Sequence, residues 1–212
     1  VKGNTLVENR LPDGTNKCIG AYDEKIQKKV YYFNYNQPGT HGIYEYDYAS
    51  GTVSTVLESS VLNFQEDSKI LHVDVVDGLL LWTDAYNHPR RININRAKSG
   101  GYPAILTEQY INNIVQQPIQ PPSVSYGSDP TFKQNNVREK QFQFRVQNID
   151  WDDAASAWGH ISKVPLPTIT DVYYFGQQVP PPVLDNFISV NVNTGDANIR
   201  RIAIAVRDGN NG

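Results

Sequence analysis

Val75-Val76-Asp77-Gly78-Leu79-Leu80-Leu81-Trp82-Thr83-Asp84 is the stretch that decides the fold. Two short apolar runs flank Asp77-Gly78, a dipeptide that tolerates positive φ and therefore suits the two-residue turn of a β-hairpin. The stretch reads as two antiparallel strands, Ile70 to Val76 and Leu79 to Ala85, followed by a loop at Asn87-His88-Pro89 and a third strand, Arg91 to Asn95. Upstream the same rhythm gives Lys17 to Glu24, Lys29 to Tyr35, His41 to Asp47 and Thr52 to Glu58, separated by Gln37-Pro38-Gly39-Thr40 and Ala49-Ser50-Gly51. Segments rich in Tyr, Val, Ile and Phe between turn residues are the mark of short antiparallel strands. In the second of them Val30, Tyr32 and Asn34 share one face and Tyr31, Phe33 and Tyr35 the other, so both faces are apolar enough to be covered.

Laying Val30-Tyr31-Tyr32-Phe33-Asn34-Tyr35 over Leu79-Leu80-Leu81-Trp82-Thr83-Asp84 exposes an internal repeat. Its spacing matches that of propeller blades, roughly 40 to 50 residues. Residues 1–98 are accordingly expected to form propeller-like antiparallel blades. Closing a propeller takes ~4 to 8 blades, so the set is expected to be incomplete and to be finished by sequence or copies outside this chain. A methionine count of zero suggests likewise an excerpt or a processed chain.

Residues 99–137 change character. Ser99-Gly100-Gly101 opens a Pro/Gln-rich linker containing Gln116-Gln117-Pro118-Ile119-Gln120-Pro121-Pro122. Within it Thr107, followed by Glu108, is expected to cap a short helix through Val115, stopped by Pro118. Residues 138–212 return to β character. Lys140 to Ile149 alternates, with Phe142, Phe144, Val146 and Asn148 on one side and Gln141, Gln143, Arg145 and Gln147 on the other. Ser156 to Leu166, Asn186 to Val192 and Ile199 to Arg207 are further candidate strands, the last two joined by the turn Asn193-Thr194-Gly195-Asp196. The expected fold class is all-β: partial propeller-like blades, then a truncated immunoglobulin/fibronectin-like β-sandwich with Phe142, Phe144 and Trp158 in its core.

Composition bounds the function. The chain has 212 residues with Lys+Arg 19 against Asp+Glu 22, a formal charge of -3 that provides no basic field for nonspecific DNA binding. Cys18 is the single cysteine, which rules out an internal disulfide and a Cys-rich zinc site. The longest apolar runs, Leu79 to Trp82 and Ile202 to Val206, are far shorter than the ~20 residues of a membrane-spanning helix. Val1-Lys2-Gly3, with no basic start and apolar stretch, does not read as a secretory signal, and any targeting signal is expected elsewhere.

Catalysis requires a nucleophile beside a base, or paired acids across a cleft, and no such signature is evident. His41, His72, His88 and His160 lack metal-ligand spacing and read as turn or surface histidines. Asp74, Asp77 and Asp84 supply fewer oxygens than a calcium loop needs, so Asp77 is read as a turn former and Asp84 as an acceptor at a strand end. Asp150-Trp151-Asp152-Asp153 reads as a solvated turn. Tyr31, Tyr32, Tyr35, Tyr44, Tyr46 and Tyr48 suit packing, a subunit interface or a sugar-stacking platform. The expectation is a protein without catalytic residues, cofactor or metal.

Leu81-Trp82-Thr83-Asp84 resembles the YWTD repeat of β-propellers, with Leu81 in place of the first tyrosine, and Pro89-Arg90-Arg91-Ile92-Asn93 resembles that family's outer strand. The chain lacks the Cys-rich flanks and Asn-X-Ser/Thr acceptors usual in extracellular YWTD receptors.

A wider resemblance is to tail structural proteins of the muzzle or nozzle type in crAss-like podophages. Val75 to Asp84 carries it, with Pro89 to Asn93, Pro121-Pro122, Phe142-Gln143-Phe144-Arg145, Ile161-Ser162-Lys163-Val164, Val192-Asn193-Thr194-Gly195 and Ile202 to Arg207 in the same order. After Phe144-Arg145 that pattern runs as an aromatic strand and an acidic-Gly turn, whereas here Val146-Gln147-Asn148-Ile149 leads to Trp151-Asp152-Asp153-Ala154. The resemblance implies a virion component assembled in the host cytoplasm. It implies a homo-oligomeric ring that contacts other tail proteins and forms part of the conduit for DNA ejection, with DNA a transient passenger. The rival expectation is a bacterial cell-surface or periplasmic β-propeller that binds a glycan or protein partner, with a sugar lyase or hydrolase third.

Overall fold

A computed structural model describes residues 7–8, 11–134, 137, 140–165 and 185–208. The fold is all-β, built from antiparallel sheets in two compact units, Val1–Ile114 and Val115–Gly212.

In the first unit β1 (Thr15–Glu24), β2 (Lys29–Gln37), β3 (Gly42–Asp47) and β4 (Thr52–Glu58) form a meander in chain order. The inner strand β3 is buried from Gly42 through Glu45 without alternation, so both of its faces are covered. A second meander follows, β5 (His72–Val76), β6 (Leu79–Thr83) and β7 (Arg90–Asn93). Val76 pairs with Leu79 across Asp77 and Gly78, whose φ of 50° and 80° are those of the two-residue hairpin turn read from the sequence. The outer edge of β7 is paired as well. Arg91 N donates to Ile111 O at 2.7 Å, Asn113 N donates to Pro89 O at 2.9 Å, and Arg90 bridges Asn112 in antiparallel sense. Ile111 to Asn113 thus occupies the position that β4 holds in the first meander.

The two meanders share one core. Phe33 of β2 packs with its ring centroid 5.7 Å from Trp82 of β6 and 6.0 Å from Phe64 of the connection. Tyr31, Ile43, Leu62, Leu80, Ile92 and Ile111 complete it with no solvent exposure. Each large apolar side chain so buried contributes about 1.5–3 kcal/mol. After β7 comes a single helical turn, α1 (Ile94–Lys98), whose start is capped by the Asn93 side chain accepting from Arg96 N.

The stretch 99–137, expected as a linker, is divided between the two units. Its first part belongs to the first unit, where Ile111 is core, and its second part contains β8 (Ser123–Gly127). The expected helix from Thr107 to Val115 is corrected to a three-residue 3-10 turn, Glu108–Tyr110, and the Thr107 side chain makes no cap. Ile111 O accepts from Arg91 N and Asn113 N donates to Pro89 O, and this commitment of 111–113 to the edge of β7 overrides the local helix signal.

The second unit contains β8, β9 (Phe142–Asp150), β10 (Phe187–Asn191) and β11 (Ile199–Asp208). Although Asn193 to Asp196 connects β10 to β11, these strands do not pair. β10 pairs with β8 and β11 with β9. The alternation of β9 holds, with Phe144, Val146 and Asn148 buried and Phe142 half-buried.

The strand expected over Ser156 to Leu166 is instead an extended strip along the edge of β9; Leu166 and the tail from Gly209 lie outside the described residues. Ser156 N, Gly159 N and Ser162 N donate to the carbonyls of Asn148, Val146 and Phe144, each at 2.8 Å. Three residues of the strip therefore span two of β9. The residues that touch β9 are small, and a Cβ on Gly159 would stand 3.0 Å from Pro118 O and 3.2 Å from Val146 O. Trp158 falls between contact points and is 40% exposed, so its expected place in the core is corrected.

This geometry sets a test. Phe144→Ala is expected to destabilise the second unit by about 3–5 kcal/mol, and Trp158→Ala by less than about 1 kcal/mol, in urea unfolding followed by circular dichroism.

Candidate functional site

The polar chemistry of the first unit is concentrated where the two meanders meet. Of the motif read from the sequence, Leu81 is half-buried, Trp82 and Asp84 are each 2% exposed, and Thr83 is exposed. Asp84 accepts from Tyr86 N at 3.1 Å, Asn87 N at 2.7 Å and Asn87 Nδ2 at 2.7 Å, pinning the loop that leaves β6. Positive φ at Ala85, 58°, permits that tight bend.

Arg90 is the residue that sequence reading passed over. It is 2% exposed and extends beneath the loop, its Nη1 donating to Val61 O at 2.8 Å and Leu62 O at 2.6 Å. Nη2 donates to Asn87 Oδ1 at 3.1 Å and lies 3.5 Å from Glu108 Oε1. Burial lowers its proton affinity, with the carboxylates of Glu108 and Asp84 opposing. The sequence signal was an arginine at the start of a strand otherwise bound for the core, beside an Asn and an Asp that could orient it.

A second buried charge lies on β3. Glu45 accepts from Lys98 Nζ at 2.7 Å, Lys29 Nζ at 3.0 Å and Tyr31 OH at 3.0 Å. Burial alone would raise its pKa, but hydrogen bonds from Lys98, Lys29 and Tyr31 outweigh it and hold the carboxyl below its usual range. The Tyr31 phenol is pushed well up, first by burial and then by Glu45. Because Lys98 comes from α1, this cluster ties the end of the second meander to the centre of the first.

His41 is buried between rings, 5.3 Å from Tyr35 and 5.6 Å from Phe64. Its Nδ1 accepts from Asn36 N at 3.2 Å, which requires that nitrogen to be unprotonated. Burial holds the imidazole below its ordinary pKa.

An open groove of about 600 Å³ runs between β1 and the second meander, lined by Tyr22, Leu71, His72 and Asp74 with Trp82, Arg90 and Asn113. Tyr22 OH donates to Asp74 Oδ1 at 3.3 Å. Burial, then Glu24 and Asp74, raise that phenol's pKa.

The remaining sequence candidates are dispersed. Asp150 accepts from Asp152 N and Ala154 N within its turn, and Asp153 pairs with Arg201. Tyr32 stacks on Tyr44 at 5.2 Å and Tyr46 meets Tyr48 edge-on at 5.3 Å, while Tyr48 is half exposed. Cys18 is exposed. Among the described residues no group of three or more His, Cys, Asp or Glu could hold a metal ion. No described helix is long and apolar enough to cross a membrane.

Two measurements probe these buried groups. Arg90→Ala leaves the part-buried Val61 and the buried Leu62 carbonyls without their donor, a cost of about 1–3 kcal/mol for the buried group. Glu108→Gln, at the exposed end of the pair, is expected to cost under about 1 kcal/mol by urea unfolding. The pH dependence follows from His41, whose folded pKa is depressed, so that on acidification the unfolded chain binds the proton first. The stability tied to the neutral ring is complete above about pH 6.5, the unfolded value, and is lost as pH falls from there towards the folded value. His41→Gln is expected to lower the melting temperature overall yet flatten its slope in that window.

No family model matches this chain, and no curated protein or solved structure matches it.

Proposed function

We propose that the chain is a non-enzymatic structural component of a phage virion, part of a tail muzzle or nozzle whose copies pack into a ring through which DNA is ejected. The observation that carries this reading is the tandem repeat of meanders on one shared core. The second meander is completed by Ile111 to Asn113 where the first has β4, and two such four-segment meanders on one core support a reading as neighbouring propeller-like blades. Such blades present outer strands to a neighbour, and covering those edges with further copies avoids the uncontrolled pairing that bare edges invite. The order of motifs from Val75 to Arg207 supports the tail assignment. A formal charge of -3 suits a conduit, because a wall that does not hold phosphates lets DNA slide. Partners are then other copies and neighbouring tail proteins, and assembly takes place in the host cytoplasm before incorporation into the virion.

The test is assembly. The protein encoded by the complete reading frame, co-expressed with its neighbouring gene products, is expected to form rings of one stoichiometry in negative-stain micrographs, and that frame to lie beside portal and capsid genes. A monomer at every concentration, or a frame opening with an export signal, overturns the reading.

A further inference from the structure

β11 is a ten-residue strand that pairs on one side only among the described residues. Which of its backbone groups face outward follows from β9. The carbonyls of Phe144, Val146 and Asn148 accept from the strip of Ser156 to Ser162, so these residues turn their polar groups away from β11, and Gln143, Arg145 and Gln147 turn theirs towards it. Opposite them Arg207, Ala205 and Ala203 face β9, which leaves the N–H and C=O groups of Ile202, Ile204 and Val206 along the outer edge. From Ile202 to Val206 that edge has no charge, proline, glycine or bulge, the devices by which an edge strand avoids pairing. Ile204 is 50% and Val206 61% exposed, on the face that Val146 and Phe144 bury on β9, so an apolar surface stops short at the same edge.

We infer that the outer edge of β11 pairs with β11 of a second copy of this chain, antiparallel about a two-fold axis at Ile204. The occupant is a second copy because the strand is complementary to itself in one register. With Ile204 opposite Ile204, Ile202 meets Val206 and Ala203 meets Ala205, so the apolar faces of both copies are continuous, and Asp208 stands opposite Arg200 at either end. Ile202, Ile204 and Val206 are the residues with outward backbone groups, so each of their pairs exchanges both of its N–H···O=C bonds. Arg201 falls opposite Arg207, but it is already ion-paired with Asp153. Shifting the register by one residue sets Ile204 against an alanine and turns the apolar face of one copy over. Shifting it by two sets Asp208 against Ile202, or Arg200 against Val206. The contact joins two two-stranded sheets, which are marginal alone, into one. It links copies in pairs and does not rest on the ring proposed above.

The test follows the 212-residue chain by sedimentation equilibrium over a concentration series. The expected result is a reversible equilibrium between monomer and dimer. Ile204→Lys, at a half-exposed position, should weaken the dimer by about tenfold or more with the far-ultraviolet spectrum unchanged, because two like charges then meet on the axis. Register is read by cross-linking under mild oxidant in a Cys18→Ser background. Ile204→Cys, whose two Cα atoms stand about 5.5 Å apart in this pairing, should link two copies. Ala203→Cys, with Ala205 opposite it, should not. A monomer throughout the series overturns the proposal, as does a dimer indifferent to Ile204→Lys, or one in which Ala203→Cys links as readily as Ile204→Cys. Slow amide exchange at Ile202, Ile204 and Val206 in a monomer marks an edge covered by another part of the same chain, and overturns it as well.

Discussion

Neither meander of the first unit can cover its own apolar face, so the contact of Phe33 with Trp82 is the interaction on which the unit depends. A sheet of three or four strands is stable only when one face is packed against another element. Here each sheet serves as the other's cover, with the Phe64 connection closing the seam between them. The apolar contact is reinforced by two buried charges that reach across it. Arg90 holds the carbonyls of the 61–62 turn, and Glu45 receives Lys98 from the helical turn that follows β7. Removing a buried charge from its hydrogen-bond partners is costly, so each charge favours the arrangement of the meanders in which those bonds form and disfavours slipped alternatives.

The second unit meets a similar need differently. Among the described residues its sheets have two strands each, too few to hide Phe144 and Val146 by sheet packing alone, and the strip from Ser156 to Ser162 covers the edge beside them. Small side chains let the strip lie close. Ser156 Oγ accepts from Asn148 N at 3.1 Å and Ser162 Oγ from Phe144 N at 3.0 Å, so the serines replace ladder bonds that a regular strand would make. Repeating every three residues rather than two, this segment carries none of the alternation by which a strand is recognised.

The groove and the shared core are consequences of the same geometry. Packing two twisted sheets face to face leaves an open cleft along one margin. Trp82 Nε1, Arg90 Nε and Asn112 Oδ1, buried without a hydrogen-bond partner among the described residues, lie where the outer pairing of the second meander begins. A residue set of this kind becomes visible only when three separated segments, around 82, 90 and 112, are brought onto one row.

The sequence by itself determined the local elements: the Asp77-Gly78 hairpin, the Tyr-rich strand from Lys29, the alternation of Phe144, Val146 and Asn148, and the repeat that relates the meanders. These depend on side-chain period and turn stereochemistry, which are properties of neighbouring residues. Tertiary structure alone decided that Ile111 to Asn113 extends a sheet rather than a helix, and that β10 and β11 part company despite the turn between them. It also decided that Arg90 is buried while Trp158 is exposed. Each of these outcomes depends on a partner distant along the chain, and burial and hydrogen bonding to such a partner exceed the small local preferences that propensity and pattern express.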